Sequence, residues 1–325
     1  MVRHLDSAQP SQARKGLMRD RGLPCCRVRV VAARRQIPLR GGDLPSRSAD
    51  RTRAGRAPAG DSAASEEASI RIRWYGQSAF LINGERAVFI DPFGALEGLT
   101  ERGLQFDYPA IEGVEADLLL VTHEHSDHNG VEVVGGSPQI LRSAAGTFDS
   151  PIGEVVAVAS EHDDAAGTKR GPNTIFCFSL DGLRLCHFGD FGQAELRGEQ
   201  EKAIGEVDVL ILPVGGGPTV GGEPAAAIVR ALRPRLVVPM HYRTDAVNFL
   251  DPPDEFLDAL GARVERVGEN ELEAEQFLGT ADDPIVALLA PRYRSSRLCP
   301  AESATSSAIH ARTAAATASR SALRP

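Results

Sequence analysis

The sequence predicts an α/β protein with two sheets in the middle and helices outside them. Three observations carry that expectation. The stretch 70–122 reads as short strands, residues 174–188 read as a hairpin about Asp181 and Gly182, and from about residue 194 helical and strand patterns alternate.

Each element follows from its residues. The run Ile70-Arg71-Ile72-Arg73-Trp74-Tyr75 alternates apolar and polar positions, as a half-buried strand does. Residues 78–83, a turn at Gly84 and residues 87–91 continue it as an antiparallel meander. Residues 117–122 form a continuous apolar run, typical of a strand buried on both faces, which ends at His123. Another strand is expected over 152–160, running out at Glu161 and His162. The pair Asp181-Gly182 suits a two-residue type I′ turn, which sets Cys177 opposite Cys186 and Phe176 opposite His187. Then come a helix near 194–204, a strand over 207–212, a helix over 224–232 and a strand over 235–239. Pro224 suits the start of that second helix and Pro234 closes it.

Composition divides the 325 residues into three parts. Residues 1–68 carry 14 Lys+Arg against 7 Asp+Glu and almost no apolar run, so they cannot bury enough surface to offset their ordering entropy. Residues 292–325 are similar, with 6 Arg and a single acid, Glu302. Both ends are expected to be disordered around one folded domain at 69–291. An alternative is that residues 1–68 are not part of the working protein, since Asp6, Asp20 and Asp43 also break a transit-peptide pattern.

The domain itself holds 16 Lys+Arg and 36 Asp+Glu, a formal balance of −20 inside a chain of −8. Such a core repels a nucleic-acid backbone, which weighs against nucleases and against nucleic acid as a partner. No run has the length of a membrane span, and the five cysteines form no Cys-x-x-Cys pair. A cytoplasmic, reducing setting is the expectation. Oligomeric state stays open.

The chemistry concentrates in His123-x-His125-x-Asp127-His128, four metal-ligand types within six residues of a buried strand's end. On a continuing strand His123, His125 and Asp127 would share one face, and a tight turn would let His128 join them. The domain has only three more histidines, His162, His187 and His241. His162, His241 and Asp190 each sit where a strand meets a loop, where a rigid scaffold can position them.

Together these residues resemble the metallo-β-lactamase superfamily, in particular a compact branch similar to the ascorbate-6-phosphate lactonase-like hydrolases. The resemblance covers about residues 69–291. Asp91, in Ile90-Asp91-Pro92-Phe93, is similar to the first motif, whose Asp supports the site without binding metal. His123, His125, Asp127 and His128 match the second motif, His162 the third, Asp190 the fourth and His241 the fifth. The third departs from many relatives in lacking a Gly-His pairing, and the inserted domains of the RNA-cleaving branches are missing.

The resemblance implies an αββα sandwich and two divalent metal ions, with Zn2+ expected and Mn2+ or Fe2+ as alternatives. One ion would be held by His123, His125 and His162, a second by Asp127, His128 and His241, with Asp190 bridging. Asp127 and Asp190 are the carboxylates it implicates in catalysis. Two divalent cations against two carboxylates and five neutral imidazoles leave a positive site. Its bridging hydroxide would attack a small anionic ester, lactone or phosphoester. A metal-dependent nuclease or phosphodiesterase, and an idle metal-binding scaffold, are the alternatives.

Other residues admit two readings each. His187 shares a face with Phe176, Phe178 and Leu185, so it belongs to the core or supports the site near Asp190. Cys177 and Cys186 are expected to stay reduced. Gly215-Gly216-Gly217-Pro218-Thr219 lacks the ending of a phosphate-cradling loop and is expected to let backbone pass close to the pocket. Glu195, Glu199, Glu201 and Glu206 read as a solvated helix face. Asp163 or Asp164 could orient an imidazole or simply lie in a surface loop. Tyr242 could donate to a developing oxyanion. Lys169 and Arg170 either hold a substrate's anion or only balance Asp163 and Asp164.

Overall fold

The computed structural model describes residues 69–96 and 103–293. The expectations for residues 1–68 and 294–325 fall outside the described residues.

Sixteen strands occur among the described residues. The first group is β1 (Arg71–Gly76), β2 (Ala79–Asn83), β3 (Ala87–Ile90), β4 (Val114–Glu115), β5 (Leu118–Val121), β6 (Val134–Gly135) and β7 (Gln139–Arg142). Next are β8 (Gly146–Ser150), β9 (Gly153–Glu161), β10 (Pro172–Leu180), β11 (Leu183–His187), α1 (Gly198–Ile204) and β12 (Val209–Pro213). The chain continues through α2 (Gly222–Leu232), β13 (Leu236–Met240), α3 (Asp254–Leu260), β14 (Arg263–Val267), β15 (Glu271–Glu273) and β16 (Ile285–Leu289).

They assemble into a six-stranded sheet, β15-β1-β2-β3-β5-β7, and an eight-stranded sheet, β14-β16-β13-β12-β11-β10-β9-β8, with β4 and β6 paired apart. The antiparallel meander β1-β2-β3 passes into parallel pairing with β5 and β7. In the second sheet β8 to β11 are antiparallel, and β11, β12, β13, β16 and β14 run parallel. The hairpin register is the expected one, with Cys177 opposite Cys186 and Phe176 opposite His187. Both thiols are free and buried, 3.0 Å apart.

Alternation along the strands separates two apolar cores. Ile72, Trp74, Phe80, Ile82, Leu118 and Leu120 join the eight-stranded sheet in one, while Ala79, Leu81, Phe89 and Leu119 face the other way. The inner strands β2, β3 and β5 of the first sheet are therefore buried on both faces. The sheet's outer face is covered by irregular segments carrying Phe93, Tyr108 and Val247 instead of a long helix. Helices accompany the second sheet. On α2 the buried positions Gly222, Ala225, Ala226, Val229 and Leu232 recur at the helical period.

Several boundaries differ from expectation. The helix expected near 194–204 begins only at Gly198, because the Gln200 side chain accepts the N–H of Arg197 and donates to the Ala159 carbonyl on β9. Glu195 and Glu206 accordingly lie outside the helix, while Glu199 and Glu201 are on it and exposed. The helix expected at 224 starts at Gly222. The strand expected over 117–122 is β5, which stops at Val121, so His123, His125 and Asp127 lie past its end and share no strand face. A residue distant in the chain holds that end: the Asp91 carboxylate takes both the N–H and the hydroxyl of Thr122, and a turn follows with the His128 N–H on the His125 carbonyl.

Candidate metal centre

Strands β9, β11, β12 and β13 run in one direction, and β5 ends beside them from the other sheet. The site is built just past their carboxyl ends: His123 after β5, His162 after β9, Asp190 after β11, the Gly215 loop after β12 and His241 after β13. Strain gathers here too, with positive φ at Gln77, Asp91 and His241. Gly215 is required by close approach, since a Cβ there would strike the His241 carbonyl. That is the role expected for this loop.

The structure brings all seven candidate ligands together. Ligand atoms of His123, His125 and His162 lie within 4.8 Å of one another, as do those of Asp127, His128 and His241, and those of His123, His128 and Asp190. One atom belongs to both halves: Asp190 Oδ2 is 3.2 Å from His162 Nε2 and 3.3 Å from the Nε2 atoms of His128 and His241.

Outer contacts fix which nitrogen faces inward. His128 Nδ1 is 2.9 Å from the Asp91 carboxylate, His162 Nδ1 is 3.1 Å from the Pro218 carbonyl, and His123 Nδ1 is 3.0 Å from the Thr122 hydroxyl. In each ring Nε2 is left for the centre. Asp91 thus supports the site at one remove, as the first motif implies. His187 does the same: its Nε2 lies 3.0 Å from the Ser78 carbonyl, and the Ser78 hydroxyl donates to Asp190 Oδ1 at 3.0 Å. Asn173 fixes the other side of that loop, accepting the Asp190 N–H and donating to the Phe188 carbonyl.

A metal fits this donor set. Five imidazoles and two carboxylates converge, and His128 Nε2 is buried with no well-directed hydrogen bond, its nearest polar neighbour being Asp190 Oδ2 at 3.3 Å, so a cation between the two would satisfy both. Electrostatics agree. Burial pushes His123 and His241 below the usual histidine range, and burial with the neighbouring His162 does so for His125. Against its own burial, His128 is raised well above that range by Asp190, Asp127 and Asp91. Asp190 is held well below the usual carboxylate range, because His128 and His241 outweigh its burial.

A cavity of about 670 Å³ opens over the cluster, lined by His125, Asp127, His162, Asp190, His241, Gly217, Pro218, Arg170, Leu104 and Phe249. The basic pair divides here. Both residues are exposed, but Arg170 lines the cavity whereas Lys169 is paired with Asp164 at 2.7 Å. Asp163 orients no imidazole; its carboxylate accepts the N–H groups of Ala165, Gly167, Lys169 and Arg170 and so shapes the loop. Tyr242 is also corrected. It is buried, stacked on Trp74, with its hydroxyl toward the Leu289 carbonyl and away from the cavity.

Sequence reasoning missed Ser78, Thr122, Asn173 and Pro218. None carries a metal-ligand signature, and each contributes through a contact between segments distant in the chain.

Residues 71–241 match the sequence model of the β-lactamase superfamily domain. The chain belongs to that superfamily. A UPF0173 metal-dependent hydrolase of Thermococcus kodakarensis is 32% identical over 229 residues, covering 61% of this chain and 95% of that protein. A second, from Pelotomaculum thermopropionicum, is 31% identical over 223 residues, covering 59% and 92%. A solved structure from Thermotoga maritima, described as a Zn-dependent hydrolase of the metallo-β-lactamase superfamily, is 29% identical. It covers 68% of this chain and 98% of its own, with a TM-score of 0.54. The expected superfamily and its α/β fold are therefore correct, and the protein is a hydrolase of that superfamily.

Proposed function

We propose that this hydrolase works with two divalent metal ions on a small anionic ester, lactone or phosphoester. The observation that carries the reading is the single oxygen Asp190 Oδ2, within 3.3 Å of imidazoles from both triads. A carboxylate at that distance from both triads would serve two cation positions at once. His123, His125 and His162 would hold one ion and Asp127, His128 and His241 the other, and the count of imidazoles favours zinc.

When bound, such ions lower the pKa of a water molecule toward neutrality and polarise the scissile group. The chain does the rest. Asp190 offsets repulsion between the cations, and Asp127, partly exposed at the cavity edge, is placed to take a proton from an attacking water. Arg170 supplies positive charge for a substrate phosphate or carboxylate. The acidic domain favours a small substrate over a nucleic acid. No helix among the described residues is long and apolar enough to cross a membrane.

The test is metal analysis of the purified protein combined with a panel of lactones, phosphomonoesters, phosphodiesters and thioesters. Two ions per chain and a turnover abolished by chelation are expected. Turnover that survives complete metal removal would overturn the proposal.

A further inference from the structure

The walls of the cavity differ in chemistry, and the difference names a substrate shape. Arg170 is the only Lys or Arg among the described residues that line the cavity. Its backbone is fixed, and its exposed side chain is not neutralised by any carboxylate among the described residues. Its own N–H and three neighbouring ones converge on the Asp163 carboxylate, while the adjacent Lys169 takes up Asp164. The guanidinium thus has a fixed root and a free head, suited to a planar or tetrahedral anion.

Leu104 and Phe249 are the large apolar side chains on the lining, and both are half-buried. They come from segments far apart in sequence that are tied together beside them. The Gln105 N–H donates to the Asn248 side chain at 3.0 Å, and the Gln105 amide donates to the Asp245 carbonyl at 2.5 Å. The Asp107 N–H then donates to the Ala246 carbonyl at 2.9 Å, and Phe106 bridges Val247. These ties set Leu104 and Phe249 side by side as one apolar wall. Apolar surface left uncovered above a polar cluster gains from covering by a ligand, at roughly 25 cal/mol per Å² buried. At about 670 Å³ the cavity lies within the range of small-molecule sites, roughly 300–1,000 Å³, and exceeds what a bare phosphate needs.

We propose that the substrate is two-ended, with an anionic group held by Arg170 and an apolar group against Leu104 and Phe249, the scissile bond lying between them over Asp127 and Asp190. This rests on the hydrolase reading above and narrows it to amphiphilic esters, thioesters or phosphoesters. A small polar anion, such as a sugar phosphate, would leave the apolar wall unused.

The experiment uses the metal-loaded full chain and four hydroxamates read by calorimetry: a parent with no arm, one with a carboxylate arm, one with a phenyl arm and one with both. Each arm is expected to tighten Kd by about tenfold, the scale on which one well-placed group discriminates ligands. Arg170→Ala should remove the gain of the carboxylate arm and leave that of the phenyl arm. Phe249→Ala should do the reverse, and Leu104→Asn serves the same purpose if Phe249→Ala fails to fold. Unchanged circular dichroism and metal content qualify each variant. If neither arm tightens binding, or a variant loses both gains alike, the two-ended substrate is overturned. If the parent binds metal-loaded and chelator-treated protein equally, the metal reading itself fails, and this proposal falls with it.

Discussion

His123, His125 and His162 offer only nitrogen to a metal, whereas Asp127, His128 and His241 add a carboxylate, and the contrast extends to what stands behind each ring. His162 and His123 lean on the neutral Pro218 carbonyl and Thr122 hydroxyl. His128 leans on the carboxylate of Asp91. Protonation sets His128 apart from the other rings, His241 of its own triad included, which burial pushes below the usual range. Burial keeps His123 and His125 neutral, while the carboxylates around His128 raise its proton affinity. On the proposed two-ion reading, the first triad would suit a metal that accepts neutral nitrogen, and at His128 of the second a proton and a metal would compete for one field.

Removing the shared atom should have the largest effect. Asp190→Ala is expected to lower metal content at both triads and cut kcat by more than the roughly 100-fold at which outer-sphere changes end. His187→Ala should leave most of the metal in place. Metal analysis decides it: two ions retained in Asp190→Ala, with a loss in His187→Ala, would refute the ligand assignment.

Asp91→Asn breaks the comparison more selectively, because it weakens the carboxylate that touches His128 directly and reaches His123 only through the Thr122 hydroxyl. Metal affinity at the second triad should fall by about 10- to 100-fold while the first keeps its ion. Chelator competition on the variant would show one ion lost early and one held. Loss of both together would mean that the triads are not separable.

The third effect is one of pH. His128 has a folded-state pKa above its ordinary value, so its protonated form stabilises the metal-free protein fully below that ordinary value. The contribution is lost as pH rises through the raised value. A cation at the second triad replaces the proton, so the stability gained on adding metal should grow as pH rises from mildly acidic to alkaline. His123, with its pKa lowered, should add no such slope near neutrality. Thermal melts with and without metal across this range check the sign, and a metal-induced gain that shrinks as pH rises would contradict it.

The smallest effect separates neighbours. Lys169→Ala should leave KM for an anionic substrate unchanged, because that ammonium is exposed and paired with Asp164, whereas Arg170→Ala should raise it by about tenfold. Equal KM values for the two variants would remove Arg170 from the substrate site.

The spacing of His123, His125, Asp127 and His128 was legible because four ligand types follow one another directly after an apolar strand, and local order needs no distant partner. The hairpin register was legible for the same reason, since Asp181 and Gly182 dictate a turn by their own backbone preferences. The contact that holds the end of β5 was not, although the apolar run itself marked that end at His123. It depends on Asp91, thirty-one positions upstream of Thr122, and no local pattern records that contact. Nor could the sequence separate Lys169 from Arg170, which are adjacent and alike in charge, until the folded loop gave one to Asp164 and the other to the cavity. By itself the sequence determined which side chains are able to bind metal and on which elements they ride. Only the tertiary structure decided which nitrogen of each imidazole faces the centre, which oxygen of Asp190 is shared and which walls a substrate meets, because those depend on contacts between segments brought together by burial of the two sheets.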